Sequence, residues 1–161
     1  MDYSVAQKLF GVGPIGIVIS LILLTAAILA DRVLGHPEIL KYRPLMEALG
    51  ALLVCAGLVL YFWTACVLRN WWAKNQLCTA GPFRWFRHPM YAAWITFLSL
   101  GVAVYLNSWV FLLWVMSLHP VWHWLVIGEE TMMSRLFHEE YRAYAKRTGR
   151  FIPRLWNLKR P

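Results

Sequence analysis

Four long apolar runs, separated by polar stretches, dominate the hydrophobicity pattern of this 161-residue chain. They extend from Gly13 to Ala30, from Ala48 to Leu68, from Pro89 to Leu106 and from Trp109 to Ile127. Each run is close to the ~20 residues that a helix needs to cross a hydrocarbon core roughly 30 Å thick. The pattern therefore predicts an all-α fold, in which four transmembrane helices form a bundle and residues 1–161 make a single membrane domain.

A different periodicity follows the fourth run. Met133, Phe137, Tyr141 and Tyr144 recur at intervals that place them on one face of a helix, and charged residues occupy its other faces. We therefore expect an amphipathic C-terminal helix on the cytoplasmic side. It could lie on the lipid surface or cover a site formed by the polar loop between the second and third runs, and the two roles are compatible.

The composition supports a membrane protein rather than a soluble one. Hydrophobic residues make up 60% of the chain and charged residues 15%, against about 45–50% and 25% in soluble domains. Thirteen of the sixteen Lys and Arg residues fall on one side of the predicted spans, and only Arg32, Lys41 and Arg43 fall on the other. By the positive-inside rule both termini and the loop before the third run are cytoplasmic. The net charge of +8 is thus assigned to an anionic membrane surface and not to nucleic acid.

The polar stretch from Gly81 to Tyr91 is the first candidate for chemistry. It begins with a helix-breaking Gly-Pro pair and continues to Arg87 and His88, which precede a proline able to open a new helix. Backbone N–H groups at a helix N-terminus bind anions, and the Arg87 guanidinium adds a fixed cation. The stretch therefore predicts half of a polar site at the membrane surface.

Glu129 and Glu130, directly after the fourth run, are the second candidate. Ionisable groups near the bilayer core are costly and tend to be functional, although acids in the first turn of the tail helix would also stabilise that helix. A carboxylate pair beside an anion site could hold a zwitterionic amino-acid group. His88, Arg87, Glu129 and Glu130 are accordingly the candidate catalytic residues.

His119 and His123 stand four residues apart, on one helix face that continues towards Glu130. Such a trio could bind a metal, but lining of a substrate cavity and structural packing are both favoured over it, and no metal site is predicted. Cys55, Cys66 and Cys78 lack metal-ligand spacing and are expected to behave as small buried hydrophobes.

An ordered set of motifs resembles the integral membrane methyltransferases of the isoprenylcysteine carboxyl methyltransferase and phosphatidylethanolamine methyltransferase type. The set is Thr79-x-Gly81-Pro82-Phe83, Arg87-His88-Pro89-x-Tyr91, Glu129-Glu130, and the tail motifs Phe137-x-Glu139-Glu140-Tyr141-x-x-Tyr144 and Phe151-Ile152-Pro153. The resemblance implies an S-adenosylmethionine site built from residues 75–91 and 129–153. The residues implied to bind the cofactor are Asn75, Gln76, Leu77, Cys78, Gly81, Pro82, Phe83, His88, Pro89, Met90, Tyr91, Glu129 and Glu130.

Three positions depart from the pattern of that family. Phe83 replaces its usual Tyr, His138 replaces a Gly common in the tail, and Leu125 replaces an Arg that suits the substrate carboxylate of the prenylcysteine enzymes. The acceptor therefore stays open between a lipid amine and another lipophilic nucleophile. His119, His123, Leu125 and Tyr141 are the candidate substrate residues.

The function implied is in-line transfer of a methyl group from S-adenosylmethionine to a membrane lipid or lipophilic small molecule. One alternative is an NADPH-dependent sterol-type reductase, because such enzymes carry a similar Arg-His-x-x-Tyr motif. The other is a non-enzymatic membrane scaffold whose basic tail binds lipid. The sequence predicts no oligomeric state.

Overall fold

A computed structural model describes residues 11–71 and 76–154. Its helices are α1 (Gly13–Val33), α2 (Arg43–Trp71), α3 (Pro89–Leu106), α4 (Trp109–Leu125) and α5 (Ile127–Arg147), with a 3₁₀ turn at Gly81–Arg84. Four stretches are long and apolar enough to cross a membrane; the apolar part of the fourth is α4, and α5 continues it as a charged helix that begins beyond the apolar run. The predicted all-α fold with four spans is confirmed.

The first two spans are longer than the apolar runs that predict them. α1 continues past Ala30 to Val33, and α2 begins at Arg43 and ends at Trp71 rather than covering Ala48 to Leu68. Charged side chains are compatible with helix ends at a membrane interface, because long side chains extend their charged groups to water. The hydrophobic runs therefore predict the part of each helix that lies in the hydrocarbon core, but not where the helix begins and ends.

Contacts between neighbouring helices place α1 against α4, α4 against α3, and α3 against α2. Glycines allow close approach at the α2–α3 contact. A Cβ atom at Gly50 would lie 2.6 Å from the backbone N of Tyr105 and 2.7 Å from the carbonyl oxygen of Gly101. Small residues of this kind let helix backbones pack closely in a membrane, where water does not drive association.

The α1–α4 contact fixes how far along α4 the first helix sits. Gly16 faces the ring of Trp122, and the Trp122 indole N–H donates to the buried hydroxyl of Ser20 at 3.0 Å. The indole of Trp114 donates to the Ser20 carbonyl at 3.2 Å. These contacts bring the first turn of α1 to the same end of the bundle as the start of α5.

The opposite end of the bundle is closed by the two-residue break between α3 and α4. Asn107 adopts a left-handed conformation, and the Ser108 hydroxyl caps α4 by accepting from the N–H of Val110. Ser108 also donates to the Asp31 carboxylate at 2.5 Å, and Asn107 exchanges two hydrogen bonds with the backbone of Leu40. The loop after α1 is thereby tied to the α3–α4 turn.

Two irregularities interrupt the helices. α3 contains a π-helical segment, Ala93–Leu98, and α5 is kinked at His138, whose φ is 44° and ψ is −122°. The expectation that Cys55 and Cys66 are buried is wrong, because both are exposed on α2. In a membrane span, lipid rather than protein covers such a face.

Candidate functional site

The candidate site lies where α3 and α5 begin, and the segment after α5 completes it. The 3₁₀ turn starts at Gly81, whose φ of +55° suits glycine, and Pro89 opens α3. Between them, Arg87 N–H donates to the Gly149 carbonyl at 2.7 Å and His88 N–H to the Arg150 carbonyl at 3.2 Å. This short backbone pairing holds the Arg-His motif against the end of the chain.

Arg87 joins both halves of the predicted site. Its Nε donates to Glu130 Oε1 at 2.8 Å, and its Nη1 donates to the carbonyls of Ala145 and Thr148 at 2.7 and 2.8 Å. A cation at the last carbonyls of a helix stabilises that end. Arg87 therefore fixes α5 as well as the carboxylate of Glu130.

Glu130 has a second arginine partner that the sequence did not reveal. Arg150 donates from Nε to both carboxylate oxygens at 3.0 Å and from Nη2 to Oε2 at 2.6 Å. Burial would raise the pKa of the Glu130 carboxyl, but His88, Arg150 and Arg87 outweigh it and hold that pKa below its ordinary range. Glu130 is therefore ionised at neutral pH.

His88 lies between the two glutamates. Its Nδ1 is 3.4 Å from Glu129 Oε2 and its Nε2 is 3.5 Å from Glu130 Oε1. Burial would lower the His88 pKa, yet the two carboxylates more than compensate and raise it. The buried Nε2 has no well-aligned hydrogen-bond partner among the described residues. The ring also stacks on Tyr91, whose hydroxyl donates to Glu129 Oε1 at 2.9 Å.

A cavity of about 510 Å³ opens beside Glu130 along α5. Its volume is in the range of small-molecule sites, about 300–1,000 Å³. The lining residues are Ile127, Glu130, Thr131, Ser134, Arg135, His138, Tyr141, Arg142, Ala145 and Arg150. The cavity is wide open on one side, and three arginines and one carboxylate face it.

The segment before the 3₁₀ turn lies behind this cavity. Leu77 is buried against Tyr141 and Tyr144, and the Tyr144 hydroxyl donates to the Phe83 carbonyl at 2.8 Å. Met133 and Phe137 pack on the same cluster, so the apolar side of α5 covers this segment. Of the other predicted cofactor residues, Gln76 is exposed, Pro82 and Pro89 are buried, Cys78 and Met90 are partly buried, and Asn75 lies outside the described residues.

Of the candidate substrate residues on α4, His123 contacts the segment after α5. The His123 ring packs edge-on against Phe151, and its carbonyl accepts from Arg150 Nη1 at 3.4 Å. His123 Nδ1 is 2.9 Å from the His119 carbonyl, and Leu125 is partly buried. Within residues 11–71 and 76–154, no group of three His, Cys, Asp or Glu side chains could hold a metal ion.

Sequence reasoning missed two contributors to the site, Arg150 and Val12. Arg150 is one of several arginines in the tail, and nothing in its spacing sets it apart. Val12 contributes only its backbone N–H, which donates to Glu129 Oε1 at 2.6 Å, and a backbone donor leaves no mark in the residue type.

Comparison with known proteins bears on this site in two ways. A family model described as phospholipid methyltransferase matches residues 45–140. A solved structure of the eukaryotic intramembrane Ras methyltransferase ICMT (isoprenylcysteine carboxyl methyltransferase) superimposes with a TM-score of 0.59 at 19% sequence identity. The likeness covers 95% of this chain and 54% of that one, so the chain spans about half the length of that relative and shares its fold. A search of curated proteins finds no significant match.

Proposed function

Because the chain belongs to the phospholipid methyltransferase family, we propose that it is a membrane methyltransferase that transfers a methyl group from S-adenosylmethionine to a lipophilic acceptor in the bilayer. Methyltransferases of this kind generally use that donor. The family match favours methyl transfer over the reductase and scaffold alternatives.

The observation that carries the proposal is the ion cluster of His88, Glu129, Glu130, Arg87 and Arg150 beside the α5 cavity. Two segments that the sequence resemblance assigns to one cofactor site, before α3 and at the start of α5, do meet there.

The charges around the cavity fit the donor. S-adenosylmethionine carries a sulfonium, an ammonium and a carboxylate, and it supplies an activated methyl group when bound. Arg135 and Arg142 would hold its carboxylate, and Glu130, which also accepts from Arg87 and Arg150, would face its cationic part. The buried His88 Nε2, which lacks an aligned partner, leaves one further polar atom available at the site.

The protein's own contribution would be placement and exclusion of water. An ionised carboxylate acceptor needs no base, whereas an amine acceptor must first lose a proton. The raised pKa of His88 keeps that ring protonated over more of the neutral range, so we assign it to holding the two carboxylates rather than to accepting a proton.

The acceptor would approach along α4. Ile127, at the start of α5, lines the cavity and is about half exposed, and Trp124, at the end of α4, is 73% exposed. Lipid would face such side chains at the end of a membrane-spanning helix, and the cavity would then meet the bilayer at Ile127. The distribution of Lys and Arg favours a cytoplasmic location for this end of the bundle, where the donor is dissolved.

Calorimetric titration with S-adenosylhomocysteine, on protein purified in detergent, tests the proposal. We expect binding by the wild type and at least a tenfold loss in Glu130→Gln and His88→Ala, since a hydrogen bond to a charged group contributes about 1.5–3 kcal/mol. Glu140→Gln is the matched control, because Glu140 is exposed on α5 outside the cavity lining. Absence of binding by the wild type, or equal binding by the Glu130 and Glu140 variants, would overturn it.

A further inference from the structure

Glu129 and Glu130 are adjacent in sequence but have different surroundings. Glu130 lines the cavity, whereas Glu129 does not. Both Glu129 oxygens are engaged within the protein: Oε1 accepts from the Val12 N–H at 2.6 Å and from the Tyr91 hydroxyl at 2.9 Å, and Oε2 faces His88 Nδ1 at 3.4 Å. Glu130 is engaged as fully, by Arg87, Arg150 and His88, so what sets Glu129 apart is its contact with the start of α1.

We propose that Glu129 is a positioning residue, held by the Val12 N–H where Gly11 leaves room for its carboxylate, and that it orients His88 and Tyr91 beside the carboxylate of Glu130. The start of α1 is then a wall of the site, although it precedes residues 45–140 that the family model matches. The expected effect on cofactor binding rests on the proposed function, whereas the contact between Val12 and Glu129 does not depend on it.

Only glycine permits this contact at position 11. The backbone there has a φ of +51°, and a Cβ atom would overlap Glu129 Oε1 and lie 3.0 Å from the Tyr91 hydroxyl oxygen. Gly35 has a similar φ of +69°, but nothing lies within 4 Å of a Cβ built on it. The two glycines therefore share the conformational requirement and differ in the close approach, which makes Gly35 a matched control.

The position of α1 follows from the packing of its buried face. Gly16 against Trp122, and Ser20 hydrogen-bonded to Trp122 and Trp114, fix α1 on α4 from one to two turns beyond Val12. A shift of α1 along α4 would break these contacts together. The register of the helix pair thus delivers the Val12 N–H to Glu129.

The electrostatics agree with the geometry. The first N–H groups of a helix lack helical acceptors and favour a negative charge. Burial would raise the pKa of the Glu129 carboxyl, but His88, the Val12 N–H and Tyr91 outweigh it and lower that pKa. The charged groups around this cluster are Glu129, Glu130, His88, Arg87 and Arg150.

Hydrogen exchange tests the contact without reference to activity. Val12 is the N-cap of α1, so its amide has no helical acceptor and exchanges freely unless Glu129 accepts from it. We expect the Val12 amide to exchange at least ~10-fold more slowly than in an unstructured peptide, a protection that Glu129→Ala abolishes and Glu140→Ala preserves. Free exchange in the wild type would overturn the proposal.

Binding of S-adenosylhomocysteine tests the consequence. Val12→Pro removes the donor and should weaken binding at least ~10-fold, with the pH dependence of binding shifted to higher pH because the Glu129 pKa rises. The conservative variant Val12→Ala keeps the amide N–H and should retain both the wild-type affinity and the wild-type pH dependence of binding. Gly11→Ala should resemble Val12→Pro, whereas Gly35→Ala should lower only the unfolding temperature.

The outcomes separate the two proposals. If folded Val12→Pro and Gly11→Ala proteins bind with wild-type affinity and pH profile, Glu129 is not positioned by α1. If the wild type fails to bind although Val12 is protected from exchange, the proposed function fails and the contact stands. Near-ultraviolet circular dichroism identifies a variant that has lost its fold, and the exchange measurement on the wild type then decides.

Discussion

Replacing His138 with glycine should stabilise this protein, although glycine normally weakens a helix. His138 has a φ of 44° and a ψ of −122° at the kink in α5, a conformation that favours glycine. Its side chain is exposed, and no hydrogen bond to it is present among the described residues. His138 also stands where the methyltransferases that this sequence resembles commonly have a glycine.

The size of the effect follows from two opposing contributions. Strain at a non-glycine residue in such a region costs of order 1–3 kcal/mol. The greater freedom of glycine in the unfolded chain opposes the gain by about 0.5–1 kcal/mol. We therefore expect the free energy of unfolding to rise by up to about 2.5 kcal/mol, which corresponds to at most roughly 10 °C in a chain of this size.

Thermal unfolding in detergent, followed by circular dichroism, measures this change. Glu140→Gly is the control, because Glu140 is exposed two residues away within regular helix, and glycine there should lower stability by about 1 kcal/mol. The two variants should thus shift the midpoint in opposite directions. A fall of similar size in both would refute the argument, since it would mean that residue 138 is an ordinary helical position.

Three further predictions concern packing and charge. Gly16→Leu should lower the free energy of unfolding by about 1–3 kcal/mol, because a Cβ there would lie 2.5 Å from a tryptophan ring, and an unchanged melting temperature would contradict the α1–α4 packing. Arg150→Ala should lower the free energy of unfolding by about 1–3 kcal/mol and suppress methyl transfer, because it leaves Glu130 with one arginine. Arg154 is exposed, so Arg154→Ala is the control and should change that free energy by less than about 0.5 kcal/mol. Similar losses in both variants would count against a specific Arg150–Glu130 pair. The unfolding temperature should decrease on both sides of neutral pH. Glu130, whose pKa is lowered, contributes stability that is lost as pH decreases below its ordinary 4.5. His88, whose pKa is raised, contributes stability that is present below pH 6.5 and lost as pH rises through the higher folded value, so His88→Ala should reduce the decrease at alkaline pH.

The spans could be predicted from sequence because each apolar run has only one means of burying its backbone in lipid. The helix ends could not, because residues such as Arg43 and Asp31 are compatible with either a loop or a helix end at an interface. The lipid-facing cysteines were also misjudged, since periodicity does not distinguish a protein-covered face from a lipid-covered one.

The grouping of His88 with Glu129 and Glu130 was accessible because motif residues flank the same end of adjacent spans. The different partners of Glu129 and Glu130 could not be predicted, because they include a backbone N–H at Val12 and one arginine, Arg150, among many. The kink at His138 was not predicted, because the apolar periodicity of Tyr141 and Tyr144 continues across it, although the resemblance places a common glycine at that position. Contacts through the backbone and irregular conformations leave little trace in residue type.

The central claim, methyl transfer from S-adenosylmethionine to a lipophilic acceptor at this cluster, is tested most directly with a donor carrying a deuterated methyl group. Purified protein would be incubated with the donor and membrane lipids, and the organic extract analysed by mass spectrometry. The account predicts label in an extractable lipophilic product with wild-type protein and with Glu140→Gln, and its loss with His88→Ala and Glu130→Gln. Label that never leaves the donor in the presence of folded wild-type protein, or transfer that persists unchanged in folded Glu130→Gln, would contradict it.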